Sequence, residues 1–176
     1  MRGDDQAAAL RVLKPGRVLV DHGPMTMTIE AAVAGSPLTA AALAGAERSL
    51  VLLDELVRYL ATARCAVGDL PSLPPECPEV LRRMVFAVRL LEESDFTPMA
   101  AVAGTIAELV MEAAVAAGAT RVIVNNGGDV ASRVPLGERI RVGIVSDLTT
   151  RRCAHVLEVS QESGIAGVAT SGLGGR

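Results

Sequence analysis

Aromatic residues are scarce in this chain, whose 176 residues include two Phe, one Tyr and no Trp. The hydrophobic core must therefore be built mainly from Ala, Val and Leu, and stacking of bases on aromatic rings is a poor binding mode. A net charge of −3 at pH 7 also argues against non-specific binding to nucleic acids, which needs a basic surface. We therefore expect no nucleic-acid partner.

Cysteine is equally scarce, and its spacing excludes two common site types. Cys65, Cys77 and Cys153 show no paired spacing, so they do not predict a disulfide framework. His22 and His155 stand apart from any Cys-x-x-Cys pair, so the pattern does not predict a zinc site either. We interpret the three cysteines as buried or inert thiols.

Secretory and membrane-spanning patterns are also missing. Residues 1–6 form no apolar leader, and no run approaches the roughly 18 apolar residues that span a bilayer. Hydrophobic residues make up 50% of the chain and charged residues 21%, a balance that lets 176 residues build one core. We expect a single cytoplasmic domain over residues 1–176 that is completed after Arg176 by a tail or by a second chain, and we expect no membrane partner.

Hydrophobic periodicity predicts helices early in the chain and strands mostly late. Apolar residues at helical spacing predict helices over residues 37–65, 78–92 and 99–117. Alternating or β-branched runs predict strands over residues 17–20, 25–34, 121–126, 139–145, 154–160 and 164–169. Short connections between the later strands favour an antiparallel meander. This arrangement predicts an α+β fold in which a mostly antiparallel sheet packs against three helices.

The segment 122–129 carries the most informative pattern. It begins with Val-Ile-Val, which favours a buried strand, and continues with Asn125, Asn126, Gly127 and Gly128, which favour a turn. Glycine amides can approach a phosphate closely, and Asp129 adds a charge or a metal-capable oxygen. Asn-Gly is also a common signal for a β-hairpin without a ligand. The pattern leaves both interpretations open.

A glycine interrupts the third predicted helix at Gly104, with Glu108 one turn further on. Glycine inside a helix costs about 1 kcal/mol relative to alanine, so its presence indicates close packing or the approach of a ligand. Helix–helix contact and a ligand site are both compatible with this pattern.

Hydroxyl groups and glycines recur together near the end of the chain, at Thr170, Ser171 and Gly172. Such groups can bind phosphate oxygens or a metal-bridged diphosphate. The alternative is a terminal segment without a ligand.

Taken in order, these segments resemble the ApbE superfamily, which includes the FAD:protein FMN transferases. The resemblance rests on Gly104, an acid four residues later, Gly118, a strand, the Gly-Gly-Asp sequence that ends at Asp129, and Ala-Thr-Ser-Gly over 169–172. It covers residues 95–176 well and the first half of the chain loosely. The segment 96–104 is closer to a poorly characterised ApbE-related branch, and Ala103 stands where the transferases have a lysine.

The resemblance implies a T-fold-like core and FAD held along the two glycine-containing loops, with Mg²⁺ at the diphosphate. Glu108 then stands where the family has an aspartate. The implied catalytic residues are Asp129, Glu108 and Thr170. The implied cofactor-binding residues are Asn125, Asn126, Gly127, Gly128, Gly104, Thr170, Ser171 and Gly172, and no metal ligand is assigned.

Three functions follow as hypotheses. The first is an ApbE-like enzyme that binds a flavin or another nucleotide and transfers FMN from FAD with Mg²⁺. The second is one subunit of a cleaved two-chain hydrolase whose nucleophile is the new N-terminal residue after Arg176, because the chain ends in a glycine-rich loop. The third is a non-catalytic binding or assembly protein on the same fold. The high apolar fraction favours a homo-oligomer.

Overall fold

A computed structural model describes residues 9–70, 72–147, 149 and 152–169. Within these residues the chain forms an α+β structure in which a mostly antiparallel sheet packs against helices, as the sequence predicts. The expectation for Thr170, Ser171 and Gly172 falls outside the described residues.

Seven strands of the described chain form the main sheet, in the order β1-β2-β3-β5-β6-β9, with the short β4 paired to β3. Every pairing is antiparallel. The strands are β1 (Leu10–Lys14), β2 (Arg17–His22), β3 (Met25–Val33), β4 (Ser36–Pro37), β5 (Arg121–Asn126), β6 (Asp129–Arg133) and β9 (Gly167–Val168).

The helices bury small and branched apolar side chains against one face of this sheet. Most of the described core is Ala, Val, Leu, Ile and Met, in keeping with the shortage of aromatic residues. The helices are α1 (Thr39–Val57), α2 (Leu60–Ala63), α3 (Glu79–Arg89) and α4 (Val102–Ala116), the last preceded by a 3₁₀ turn (Pro98–Ala101). The first predicted helix is therefore too long, since it ends at Val57 and a separate short helix follows.

Helices α1 and α4 pack closely because Gly45 lies between them. A Cβ added to Gly45 would lie 3.1 Å from the backbone oxygen of Val110 and 3.5 Å from the Cβ of Ala114. Only a residue without a side chain allows the two backbones to come this near. Sequence periodicity gave no sign of this contact.

Helix α4 and the turn before it form an apolar stretch, Pro98–Ala116, of 19 residues with a mean hydropathy of 1.6. By length and composition it could cross a bilayer, so the expectation that no such run exists was wrong. It packs in the core, where Ile106, Leu109 and Val110 are buried. Burial against the sheet and α1 accounts for the apolar residues on this side of the helix.

The remaining two strands, β7 (Arg139–Asp147) and β8 (Arg152–Ser160), form a separate hairpin. Ile140 and Val159 are buried at its base together with Val134, and Ile123 of the main sheet packs against them. Since Ile123 alternates with residues that face the helices, the hairpin covers the opposite face of the main sheet.

The predicted meander of late strands is therefore wrong in its order. Strand β9 spans only Gly167–Val168, shorter than the predicted 164–169, and pairs with β6 rather than β8. Strands β1 and β6 were not predicted. Strand β6 has the sequence Asp-Val-Ala-Ser-Arg, whose lack of clear alternation hides it.

Candidate functional site

The Asn-Asn-Gly-Gly-Asp segment is a tight β-hairpin that joins β5 to β6. Asn126 pairs with Asp129, so Gly127 and Gly128 form a two-residue turn. Their φ angles of 63° and 112° are both positive, which glycine adopts without strain. The predicted turn is thus confirmed as a hairpin, a geometry that is compatible with both interpretations of the sequence.

One backbone amide that the sequence offered to a phosphate is already engaged. The Gly128 N–H donates a 3.0 Å hydrogen bond to Oδ1 of Asn125. Asn125 is exposed and alternates with Val124 and Asn126, which are buried on the helix side of β5. Asn125 therefore shapes the turn from the face of the sheet opposite the helices.

Asn126 fixes the hairpin to the first turn of α4. Its side chain is 7% exposed, and Nδ2 donates a 3.1 Å hydrogen bond to the backbone oxygen of Ala103. This bond uses one of the amide's two N–H groups and holds the end of β5 over the helix. Asp129, the partner of Asn126 in the hairpin, is thereby held beside Gly104.

A cleft of about 290 Å³ opens at this point, between α4, β6 and the segment 166–169. Gly104 and Glu108 line it from the helix, and Asp129 lines it from the strand. The structure thus brings together three predicted site residues from separate parts of the chain. Ala169 also lines the cleft, directly before the undescribed Thr170.

Gly104 faces this cleft and does not mediate helix packing. Among the described residues outside its own helix, the nearest atom to a Cβ added at Gly104 is Oδ2 of Asp129, 3.7 Å away. The helix–helix interpretation of Gly104 is therefore wrong, and that role belongs to Gly45. At Gly104 the missing side chain leaves space next to a carboxylate.

Asp129 also bears on the stability of α4. The first turn of this helix contains no acidic residue of its own. The carboxylate of Asp129 lies beside Gly104 in that turn, where the helix dipole favours negative charge. Any test of Asp129 as a ligand must therefore include a measurement of stability.

Glu108 stands at the margin of the cleft and contacts a cation on its outer side. Nη1 of Arg83 lies 3.5 Å from its Oε2, and its side chain is 53% exposed. Arg83 also binds Glu112 at 2.8 Å and Glu79 at 2.7 Å. The hydrogen bond that Arg83 donates to Glu112 is the main cause that raises the pKa of Arg83, and partial burial opposes it. This group ties α3 to α4 behind the cleft.

The cleft is suited to a cation more than to a bare anion. Among the described residues that line it, Glu108 and Asp129 are charged and neither Lys nor Arg is present. The described residues contain no group of three or more His, Cys, Asp or Glu that could hold a metal alone. Two carboxylates can still hold Mg²⁺ when phosphate oxygens and water complete its octahedral shell.

A second cleft of about 210 Å³ adjoins the first. Met111 and Ala166 line both. The second cleft carries Arg133 and the polar residues Ser160 and Gln161. Arg133 is not among the site residues predicted from the sequence. Its position four residues after Asp129, on the same side of β6, is a signal only once β6 is known to be a strand.

A family model described as "AbpE bacteria" matches residues 10–176 of the chain. Because the match covers nearly the whole sequence, the chain belongs to this ApbE-related family. The resemblance seen in the sequence is thus confirmed at the level of an ApbE-related family.

Several archaeal proteins named UPF0280 are similar to parts of the chain. The protein of Methanosarcina acetivorans is 53% identical over 58 residues, which cover 33% of this chain and 22% of that protein. The protein of Methanocella arvoryzae is 40% identical over 98 residues, which cover 56% of this chain and 38% of that protein. The protein of Methanococcoides burtonii is 42% identical over 104 residues, which cover 56% of this chain and 40% of that protein. The matched segments thus span less than half of each relative.

Proposed function

We propose that this ApbE-related protein binds a nucleotide diphosphate, with FAD as the first ligand to test, together with Mg²⁺. The observation that supports the proposal is the convergence of Gly104, Glu108 and Asp129 on one cleft. The cleft runs along the segment that leads to Thr170. Membership in an ApbE-related family makes a flavin nucleotide the natural choice.

The chemistry of the lining explains why the ligand needs a cation. A diphosphate placed next to two carboxylates would be repelled in the absence of a counter-charge. Glu108 and Asp129 supply oxygen ligands of the kind Mg²⁺ prefers, and the diphosphate supplies more. When bound, Mg²⁺ would neutralise the diphosphate and so favour departure of a nucleotide.

Gly104 and Asn126 have separate parts in this proposal. Gly104 leaves room for the ligand beside Asp129, and a Cβ would occupy part of that room. Asn126 holds the hairpin, and with it Asp129, over the helix. A cleft of about 290 Å³ lies at the lower end of small-molecule sites, so it holds the diphosphate and its neighbouring groups rather than all of FAD.

The finer proposal is that a cytoplasmic protein of T-fold type transfers FMN from FAD. In this reaction a side-chain hydroxyl of an acceptor gives its proton to solvent and its oxygen attacks the FMN phosphorus, the diphosphate bond breaks, and AMP leaves. Glu108 and Asp129 hold the metal end of the substrate, and Thr170 remains the expected hydroxyl contact on the neighbouring segment.

The proposal is tested by titrating FAD against the whole protein with and without Mg²⁺, following flavin fluorescence. We expect binding at micromolar FAD with Mg²⁺ and at least tenfold weaker binding after its removal with a chelator. Asp129→Asn should weaken binding at least tenfold, whereas Asp54→Asn, on an exposed part of α1, should not. Absence of binding at tens of micromolar FAD contradicts the proposal.

A further inference from the structure

The two clefts are arranged as one groove along β6. The first lies beside Asp129, Val130 and Ala131, and the second beside Ser132 and Arg133. Helix α4 borders both on one side, through Met111, and residues 164–169 border them on the other. A ligand in the first cleft therefore has a direct path into the second.

The spacing of residues on the two walls gives the groove its length. Asp129, Ala131 and Arg133 alternate with residues of the opposite face, so all three lie on the side of β6 that faces α4. Four residues of strand span about 13 Å. On the helix, Gly104, Glu108 and Met111 lie on one side over about 10 Å. The groove can thus hold a ligand considerably longer than a diphosphate.

The two ends of the groove differ in charge. Glu108 and Asp129 stand at one end, and Arg133 stands at the other. No ion pair joins Arg133 to any other residue in the described part of the chain. Arg133 is exposed, and Gln161 borders the same cleft. This end of the groove is therefore suited to a group rich in hydrogen-bond acceptors.

We propose that the second cleft is a distinct subsite in which Arg133 binds an anionic or acceptor-rich group of an elongated ligand. The diphosphate of this ligand lies with the cation at Glu108 and Asp129. The inference therefore rests on the proposed function only for the acidic end of the groove. A ligand that consists of a diphosphate only would reach one end of the groove and leave Arg133 without contact.

Two ligands of different length test this subsite at a fixed, saturating Mg²⁺ concentration. Isothermal titration calorimetry measures the affinities of FAD and of inorganic pyrophosphate for the whole protein. Arg133→Gln should weaken FAD at least tenfold and change pyrophosphate less than twofold. Arg133→Lys keeps the charge but loses the planar fork, so it should recover part of the FAD affinity. Arg58→Gln, on the exposed end of α1, is the control and should change neither.

The outcomes separate the two proposals. If Asp129→Asn weakens both ligands while Arg133→Gln leaves FAD within twofold of the wild type, the subsite is wrong and the metal end stands. If Arg133→Gln weakens both ligands equally, Arg133 acts through its general charge, and the subsite is again wrong. If Arg133→Gln weakens FAD but Asp129→Asn changes neither ligand, the subsite stands and the proposed function of the acidic end is wrong. Absence of FAD binding to the wild type overturns both.

Discussion

Gly104 and Asp129 face each other across the candidate cleft, and the gap between them is open. A Cβ on Gly104 would lie 3.7 Å from Oδ2 of Asp129, an ordinary contact distance. The glycine is therefore not required by crowding among the described residues. Since glycine weakens a helix, we propose that its role at this point is the space that it leaves for a ligand.

Gly104→Ala should separate stability from binding. We expect the free energy of unfolding to rise by up to about 1 kcal/mol, because alanine is a better helix former and meets no clash. FAD affinity should fall, since the added methyl group occupies the cleft. Chemical denaturation and FAD titration measure the two effects. A variant that binds FAD as the wild type does would show that the space has no role.

Gly45→Ala is the matched control and should behave in the opposite way. Its Cβ would lie 3.1 Å from the Val110 oxygen and 3.2 Å from Val110 Cγ1, a tighter fit than most packed groups show, so α4 would have to shift by a few tenths of an ångström. Overpacking of this kind costs about 1–3 kcal/mol. Denaturant unfolding should therefore show a loss of stability. Unchanged or increased stability would contradict the close approach of α1 and α4.

The hairpin tie at Asn126 should affect both folding and binding. Asn126→Ala removes the hydrogen bond to Ala103 and leaves that half-buried carbonyl without this donor, at a cost of about 1–2 kcal/mol. Asn125→Ala should cost less, because Asn125 is exposed and its side chain accepts a hydrogen bond from within the turn itself. Equal losses of stability in the two variants, measured by thermal unfolding, would argue against a special role for Asn126.

The group around Arg83 should contribute modestly to stability and respond to salt. Arg83→Met leaves Glu79, Glu108 and Glu112 close together without their shared cation. Because these side chains are partly exposed, we expect a loss of about 1 kcal/mol at low salt. The loss should shrink in 1 M NaCl, where charges are screened. A loss that is independent of salt would indicate packing by the arginine stem instead.

The three cysteines should differ in reactivity. Cys77 is buried, and desolvation is the main cause that raises the pKa of its thiol, whereas Cys65 and Cys153 are exposed. Of the three thiols expected to be buried or inert, Cys77 is confirmed as buried, and the reactivity of the two exposed thiols is what the experiment measures. At pH 8 a thiol-specific reagent should label two groups quickly and the third only on unfolding, because the thiolate is the reactive form. Rapid labelling of all three would contradict the burial of Cys77.

The long helices and the core strands were predictable because their apolar residues repeat at the right period. Leu81, Met84, Val85 and Val88 follow helical spacing, and all are buried in α3. The segment Val122–Asn126 likewise became β5, with its hairpin turn at the predicted glycines. Local sequence was enough to predict a helix or strand wherever one strong pattern determined that element.

The structural features that could not be predicted from the sequence depend on contacts between distant segments. Strand β6 has no periodic signal of its own and is fixed by pairing with β5 and β9. Arg83 and Glu112 are 29 residues apart, so their bond cannot be read from local spacing. The two helical glycines look alike in sequence, and only packing shows that one supports a helix contact and the other opens a cleft.

We propose above that Glu108 and Asp129 hold a cation together with a nucleotide diphosphate, and binding of the cation can be measured directly. Mn²⁺ can replace Mg²⁺, and its electron paramagnetic resonance signal reports the bound fraction as FAD is added to the protein. We expect FAD to tighten Mn²⁺ binding at least tenfold in the wild type, and we expect Asp129→Asn, shown by its melting curve to be folded, to lose this effect. Identical Mn²⁺ binding in the two proteins, with and without FAD, would contradict the account.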